Sequence, residues 1–84
     1  MREHDRVVLT ADLPEHGLQA GDVGTIVHAY PEEAAYEVEF VALDGKTVAV
    51  VTVPAEQLRD VRHDELTHAR PIGADEARAV DERG

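Results

Sequence analysis

The stretch AYEVEFVALDGKTVAVVTV, residues 35–53, alternates apolar and polar side chains on both sides of Asp44-Gly45. Period-two alternation sends successive side chains to opposite faces of a sheet, and Asp-Gly is a strong two-residue hairpin signal. A chain carrying this stretch is committed to an antiparallel pair. Pairing outward from the turn sets Leu43 against Lys46, and then Phe40 against Ala49, Val38 against Val51 and Tyr36 against Val53 on a core face. On the other face Val41 meets Val48, Glu39 meets Val50 and Glu37 meets Thr52. A three-residue loop with a bulge at Gly45 instead sets Val41 against Ala49 and Glu39 against Val51. Either register leaves valines beside Glu37 and Glu39.

The rest of the chain reads around this hairpin. At 84 residues there is room for one small core. Short runs rich in Val, Thr and Ile, bounded by turn residues, predict strands at residues 6–10, 23–30, 35–42, 47–53 and 58–61. Five short strands in so few residues suggest a small barrel or a tightly rolled sheet. The long first connection, TADLPEHGLQAGD, has Pro14 to preset a turn and Gly17 and Gly21 to take positive φ. Gly24 lies just inside the second strand, where glycine marks a bulge or a close backbone approach. Pro54 ends the fourth strand, and AEQL after it suits a single 3₁₀ turn. Beyond Val61 the chain turns polar and Ala-rich. The expected organisation is therefore a β domain over residues 1–61 and a polar C-terminal tail over residues 62–84. Within the tail Ala74, Ala77 and Val80 recur at helical spacing, so it is expected to be partly helical.

The charge is strongly acidic, with 18 Asp and Glu against 8 Lys and Arg for a net of −10. Residues 1–61 hold 12 acids and 4 bases, so the excess sits mainly on the β domain. Such a surface repels phosphate backbones and attracts basic partners, besides conferring solubility. The chain has no Cys, which excludes disulfides, Cys-zinc sites and thiol nucleophiles. No apolar run is long enough to span a bilayer, and the charged opening MREHDRVVLT has no signal-peptide character, so a cytoplasmic protein is expected.

Catalytic and metal motifs are not met. HDELTH, residues 63–68, evokes a zinc-protease helix, but that motif needs histidines at i and i+4 with a glutamate after the first. His63 and His68 are five apart and Asp64 follows His63. The chain contains no serine, so a Ser–His–Asp arrangement is excluded. Glu37 and Glu39 share one solvated face, whereas acid/base pairs need contrasting environments. AGDVGTIV lacks the ending of a phosphate loop. With 2 Tyr, 1 Phe and no Trp, the chain is poorly supplied for a proline-peptide groove or for base stacking. No enzyme activity, metal or cofactor is expected.

The segments LTADLPEHGLQAGDVGTIV, AYEVEF and VTVPAEQL together resemble an uncharacterised bacterial family, domain of unknown function 4926, over about residues 6–61. The resemblance implies a compact SH3-like β-barrel, assigns no catalytic residue, and implies an antitoxin- or immunity-like role. The tail lies outside it. GDVGTIV is also similar to the glycine-containing turn of KOW-type barrels.

The expectation is thus an all-β, SH3-like small barrel serving as a non-catalytic, acidic protein-binding module that neutralises or escorts a basic protein. Its expected contact residues are Glu32, Glu33, Glu37, Glu39, Val41, Val48 and Val50, with valines supplying buried area and glutamates orienting the partner. The outer valines are equally explained if the tail or a curled strand covers them. Two further readings stand beside this one. In a KOW-like nucleic-acid or ribosome-associated barrel, Arg2, Arg6, Arg59 and Arg62 would gather if the first and last strands pair. An accessory subunit would stabilise an enzyme complex. Homodimerisation through the exposed valines also stays open.

Overall fold

The computed structural model describes residues 1–72. Five strands form in chain order: β1 Arg6–Leu9, β2 Val23–Ala29, β3 Ala35–Val41, β4 Thr47–Pro54 and β5 Leu58–Asp60. Each begins at the residue the sequence predicts and ends within one residue of the predicted stop. The expected 3₁₀ turn after Pro54 is present at Ala55–Gln57, and Gly17, Gly21 and Gly45 all take positive φ. The expected helical part of the tail falls on residues 74–80, outside the described residues.

All strand pairs are antiparallel, in the order β4-β3-β2-β1-β5. β4 and β5 are the two edges, so the sheet is not closed into a barrel by hydrogen bonding. It is nevertheless one all-β unit around one core. Val7, Leu9, Ile26, Tyr36, Val38, Phe40, Val51, Val53 and Leu58, drawn from all five strands, join Leu18 in a single cluster. A single sheet can bring all its strands to one cluster only by curling around it, and two bulges aid the curl. One lies in β2 between Ile26 and His28, the other beside the β3–β4 turn.

The second bulge corrects the predicted register beside the turn, where the Ala42 N–H donates to the Lys46 carbonyl at 2.8 Å and Leu43, Asp44 and Gly45 form a three-residue loop in place of the expected Leu43–Lys46 pair. From Tyr36↔Val53 to Phe40↔Ala49 the pairs are those of the two-residue turn, but Val41 then pairs with Thr47 rather than Val48. Val48 is left as the extra residue, and both Val48 and Ala49 pack against the core. Val48 therefore does not stand beside Val50 on the outer face. An apolar side chain freed from strict alternation gains by turning toward apolar neighbours.

Gly24 is the close approach expected of it. A Cβ there would lie 2.6 Å from Val38 Cγ1 and 2.9 Å from the Glu39 carbonyl oxygen. Among the described residues no helix is long and apolar enough to cross a membrane.

A candidate docking cleft and its acidic margin

Alternation along β3 and β4 places Glu37, Glu39, Val50 and Thr52 on the outer face. Their pairings are Glu37↔Thr52 and Glu39↔Val50, as predicted. Hydroxyls from the same face satisfy the carboxylates. Thr52 Oγ1 donates to Glu37 Oε1 at 2.6 Å, Tyr30 Oη donates to the same oxygen at 3.3 Å, and Thr47 Oγ1 donates to Glu39 Oε2 at 2.7 Å. Val50 is 51% exposed among them. The predicted contact set is thus divided in space. Glu37, Glu39 and Val50 share the outer face. Glu32 and Glu33 stand in the β2–β3 turn, at the opposite end of β3 from Val41, and both adopt positive φ. Val41 and Val48 line a cleft instead.

That cleft, about 240 Å³, opens between the β1–β2 connection, the end of the β3–β4 hairpin and the segment after β5. Its apolar lining comes from Leu18, Val23, Phe40, Val41, Leu43 and Val48. Several of these side chains remain open to solvent. Leu43 is 82% exposed and Val41 43%, with Val23 and Ile72 also counted among the exposed apolar residues. Exposed apolar side chains are ordinary when scattered singly, and here several gather around one concavity. Sequence places Leu43 at the turn and Val23 at a strand start, and neither position marks a cleft.

One wall of the cleft holds Asp22 and Arg70, and the Gly17 carbonyl lies beside them. Asp22 and Gln19 close a turn, with Gln19 N–H donating to Asp22 Oδ2 at 2.9 Å and Asp22 N–H to the Gln19 carbonyl at 3.0 Å. Gly17, with φ of 71°, presents its carbonyl nearby. Arg70 reaches both. Its Nε donates to Asp22 Oδ1 at 2.9 Å, and its Nη2 donates to Asp22 Oδ2 at 2.5 Å and to the Gly17 carbonyl at 3.0 Å. Partial burial pushes the Asp22 carboxyl up, but the Arg70 guanidinium and the Gln19 N–H outweigh it and hold it below its ordinary value. Neither Asp22 nor Arg70 was among the contact residues expected from sequence.

A second arginine–carboxylate pair fixes the start of the same segment. Arg59 donates from Nη1 to Glu65 Oε1 at 3.0 Å and from Nη2 to Oε2 at 2.6 Å, and the Arg62 N–H donates to Glu65 Oε1 at 2.7 Å. The Arg59 guanidinium and then the Arg62 N–H draw the Glu65 carboxyl down to about 2. β1 and β5 do pair, the condition for a basic face from Arg6 and Arg59. Arg59, however, spends its charge on Glu65. Beneath this segment Val8 is buried on the side of the sheet away from the core cluster, in a smaller hollow bounded by Val23, Val61 and Thr67. The tail thus accounts for some outer apolar surface, while Val50 and Leu43 stay open.

HDELTH lies in irregular backbone, not on a helix. Among the described residues no group of three or more His, Asp or Glu side chains is placed to share a metal ion.

The model of a family described as a domain of unknown function (DUF4926) matches residues 3–60. No curated protein and no solved structure matches the chain.

Proposed function

The chain belongs to the DUF4926 family, and from that premise we propose that it is a non-catalytic protein-binding module which docks a basic segment of a partner protein in the cleft beside β3 and β4. The observation that carries this reading is the clustering of half-open apolar side chains, Val23, Val41, Leu43 and Ile72, around one concavity whose wall holds an ionised carboxylate. Apolar floor supplies buried area, and the acid selects charge. Among the described residues lining the cleft, Asp22 is the one carboxylate, and its pairing with Arg70 suits charge recognition rather than proton transfer. Glu39 adjoins the same region through Thr47, the residue that pairs with Val41. Glu37 and Val50 extend the surface along the outer face. The net charge of −10 speeds encounter with a basic partner. The role is to neutralise or escort that partner, in the cytoplasm of a bacterium.

The test is capture of the partner by the tagged full-length chain from its native host. Leu43→Glu abolishes capture, because it places a charge on the most exposed apolar side chain of the cleft without touching the core. Glu33→Ala, at the far turn, leaves capture intact. Equal capture by wild type and Leu43→Glu overturns the cleft as the docking surface.

A further inference from the structure

We propose that Asp22 and the Gly17 carbonyl form an arginine-accepting fork at the end of the cleft, that Arg70 fills it as the chain's own stand-in, and that an arginine-bearing extended segment of the partner enters by displacing the Arg70 side chain from the fork. This rests on the docking role proposed above and specifies its chemistry.

Three observations carry it. The first is the geometry of acceptance. Two carboxylate oxygens and one backbone carbonyl converge on a single guanidinium, using Nε and Nη2 together. A planar guanidinium meets such a set with parallel donors, whereas an ammonium presents one point charge. The second is that the fork is held by bonds that do not involve Arg70. The Gln19–Asp22 turn fixes the carboxylate, the Leu9 N–H donates to the Asp22 carbonyl at 2.9 Å, and the Gly17 N–H donates to the Pro14 carbonyl at 3.0 Å. A site assembled without its occupant loses little by exchanging it. The third is that the occupant is held by its side chain while the backbone that carries it is exposed. Residues 62–72 contain no strand or helix, Thr67, His68 and Ala69 are exposed, and Leu66 is 94% exposed. Arg70 is the anchor at the cleft, and Glu65 anchors the segment further back on Arg59. The matched family region ends at residue 60, so the fork lies inside it and the occupant outside.

A ligand of this chemistry competes with an intramolecular one. Its apparent affinity is reduced by the fraction of molecules in which Arg70 holds the fork. Arg70→Ala is therefore an unmasked receptor, and the peptide RHDELTHARPI, residues 62–72, is a defined probe. Two-dimensional amide spectra of the labelled full-length chain read the binding. In Arg70→Ala the peptide shifts the amides of Gly17, Asp22, Val23 and Leu43, with an apparent affinity about tenfold above that for wild type. The same peptide with alanine at the Arg70 position and Arg62 kept shifts none of them, a control that asks nothing of protein folding. Asp22→Asn in the Arg70→Ala background also loses the response. Equal response to the arginine and alanine peptides, equal affinity of wild type and Arg70→Ala, or no response in Arg70→Ala overturns the fork. Partner capture lost in Leu43→Glu yet unchanged in Asp22→Asn overturns the fork while leaving the cleft in place.

Discussion

Arg70 grips Asp22 across 48 residues of chain, with Nε and Nη2 meeting the two carboxylate oxygens at 2.9 and 2.5 Å. The pair is partly sheltered, the Arg70 and Asp22 side chains being 27% and 18% exposed, so salt screens it less than a fully exposed surface pair. It joins the irregular segment after β5 to a loop formed before β2.

Acid should release that segment. Asp22 is held below its ordinary value of 3.8 and Glu65 is drawn from 4.5 to about 2. A carboxyl depressed in the folded state contributes its hold above the unfolded value and loses it as pH falls through the folded one. The guanidinium and neighbouring amide resonances of Arg59 and Arg70 are therefore expected to be flat at neutral pH and to move to free-chain positions between about 4.5 and 2, ahead of the β-strand resonances. Movement of these and the strand resonances together in one acid transition contradicts this.

Gly24→Ala should damage the fold rather than the surface. The added methyl would meet Val38 Cγ1 at 2.6 Å, Phe40 Cε1 and the Glu39 backbone at 2.9 Å, contacts that no side-chain rotation at residue 24 can relieve. Overpacking of this kind costs about 1–3 kcal/mol, to be read by urea denaturation.

Glycine should help where Glu32 and Glu33 now stand. Their φ values are 64° and 57°, in the left-handed region that costs an L side chain roughly 1–2 kcal/mol. Glu32→Gly recovers part of that strain and loses part again to the entropy of the unfolded chain. A net gain of about 0.5–1 kcal/mol is expected from thermal or urea melts. A loss of stability would mean that the glutamate conformations carry no strain.

Leu43→Glu and Phe40→Ala separate surface from core. Leu43 is 82% exposed, so its replacement should change stability by less than about 0.5 kcal/mol. Phe40 is 3% exposed and belongs to the core cluster, and its truncation should cost about 3–5 kcal/mol. Both values come from one denaturation series, which also certifies that lost partner capture in Leu43→Glu is not unfolding.

The hairpin pairs from Tyr36↔Val53 to Phe40↔Ala49 were legible because alternation and the Asp44-Gly45 turn are local signals. Val48 was not, since a bulge is decided by which side chain the core accepts, and the core is assembled from all five strands. The predicted contact set mixed three places for the same reason: Glu32 and Glu33 are close to Glu37 in sequence but lie in a turn that leads away from Val41.

Sequence alone determined the five strands, their order of appearance, the turn glycines and the acidic surface, because period-two patterning and backbone preference act over a few residues. Tertiary structure alone decided that the sheet curls without closing, that Val48 turns inward, and that Leu43, Val23 and Asp22 share one cleft with Arg70. Those relationships depend on distances between segments far apart in the chain, and no local pattern encodes where a guanidinium 48 residues away comes to rest.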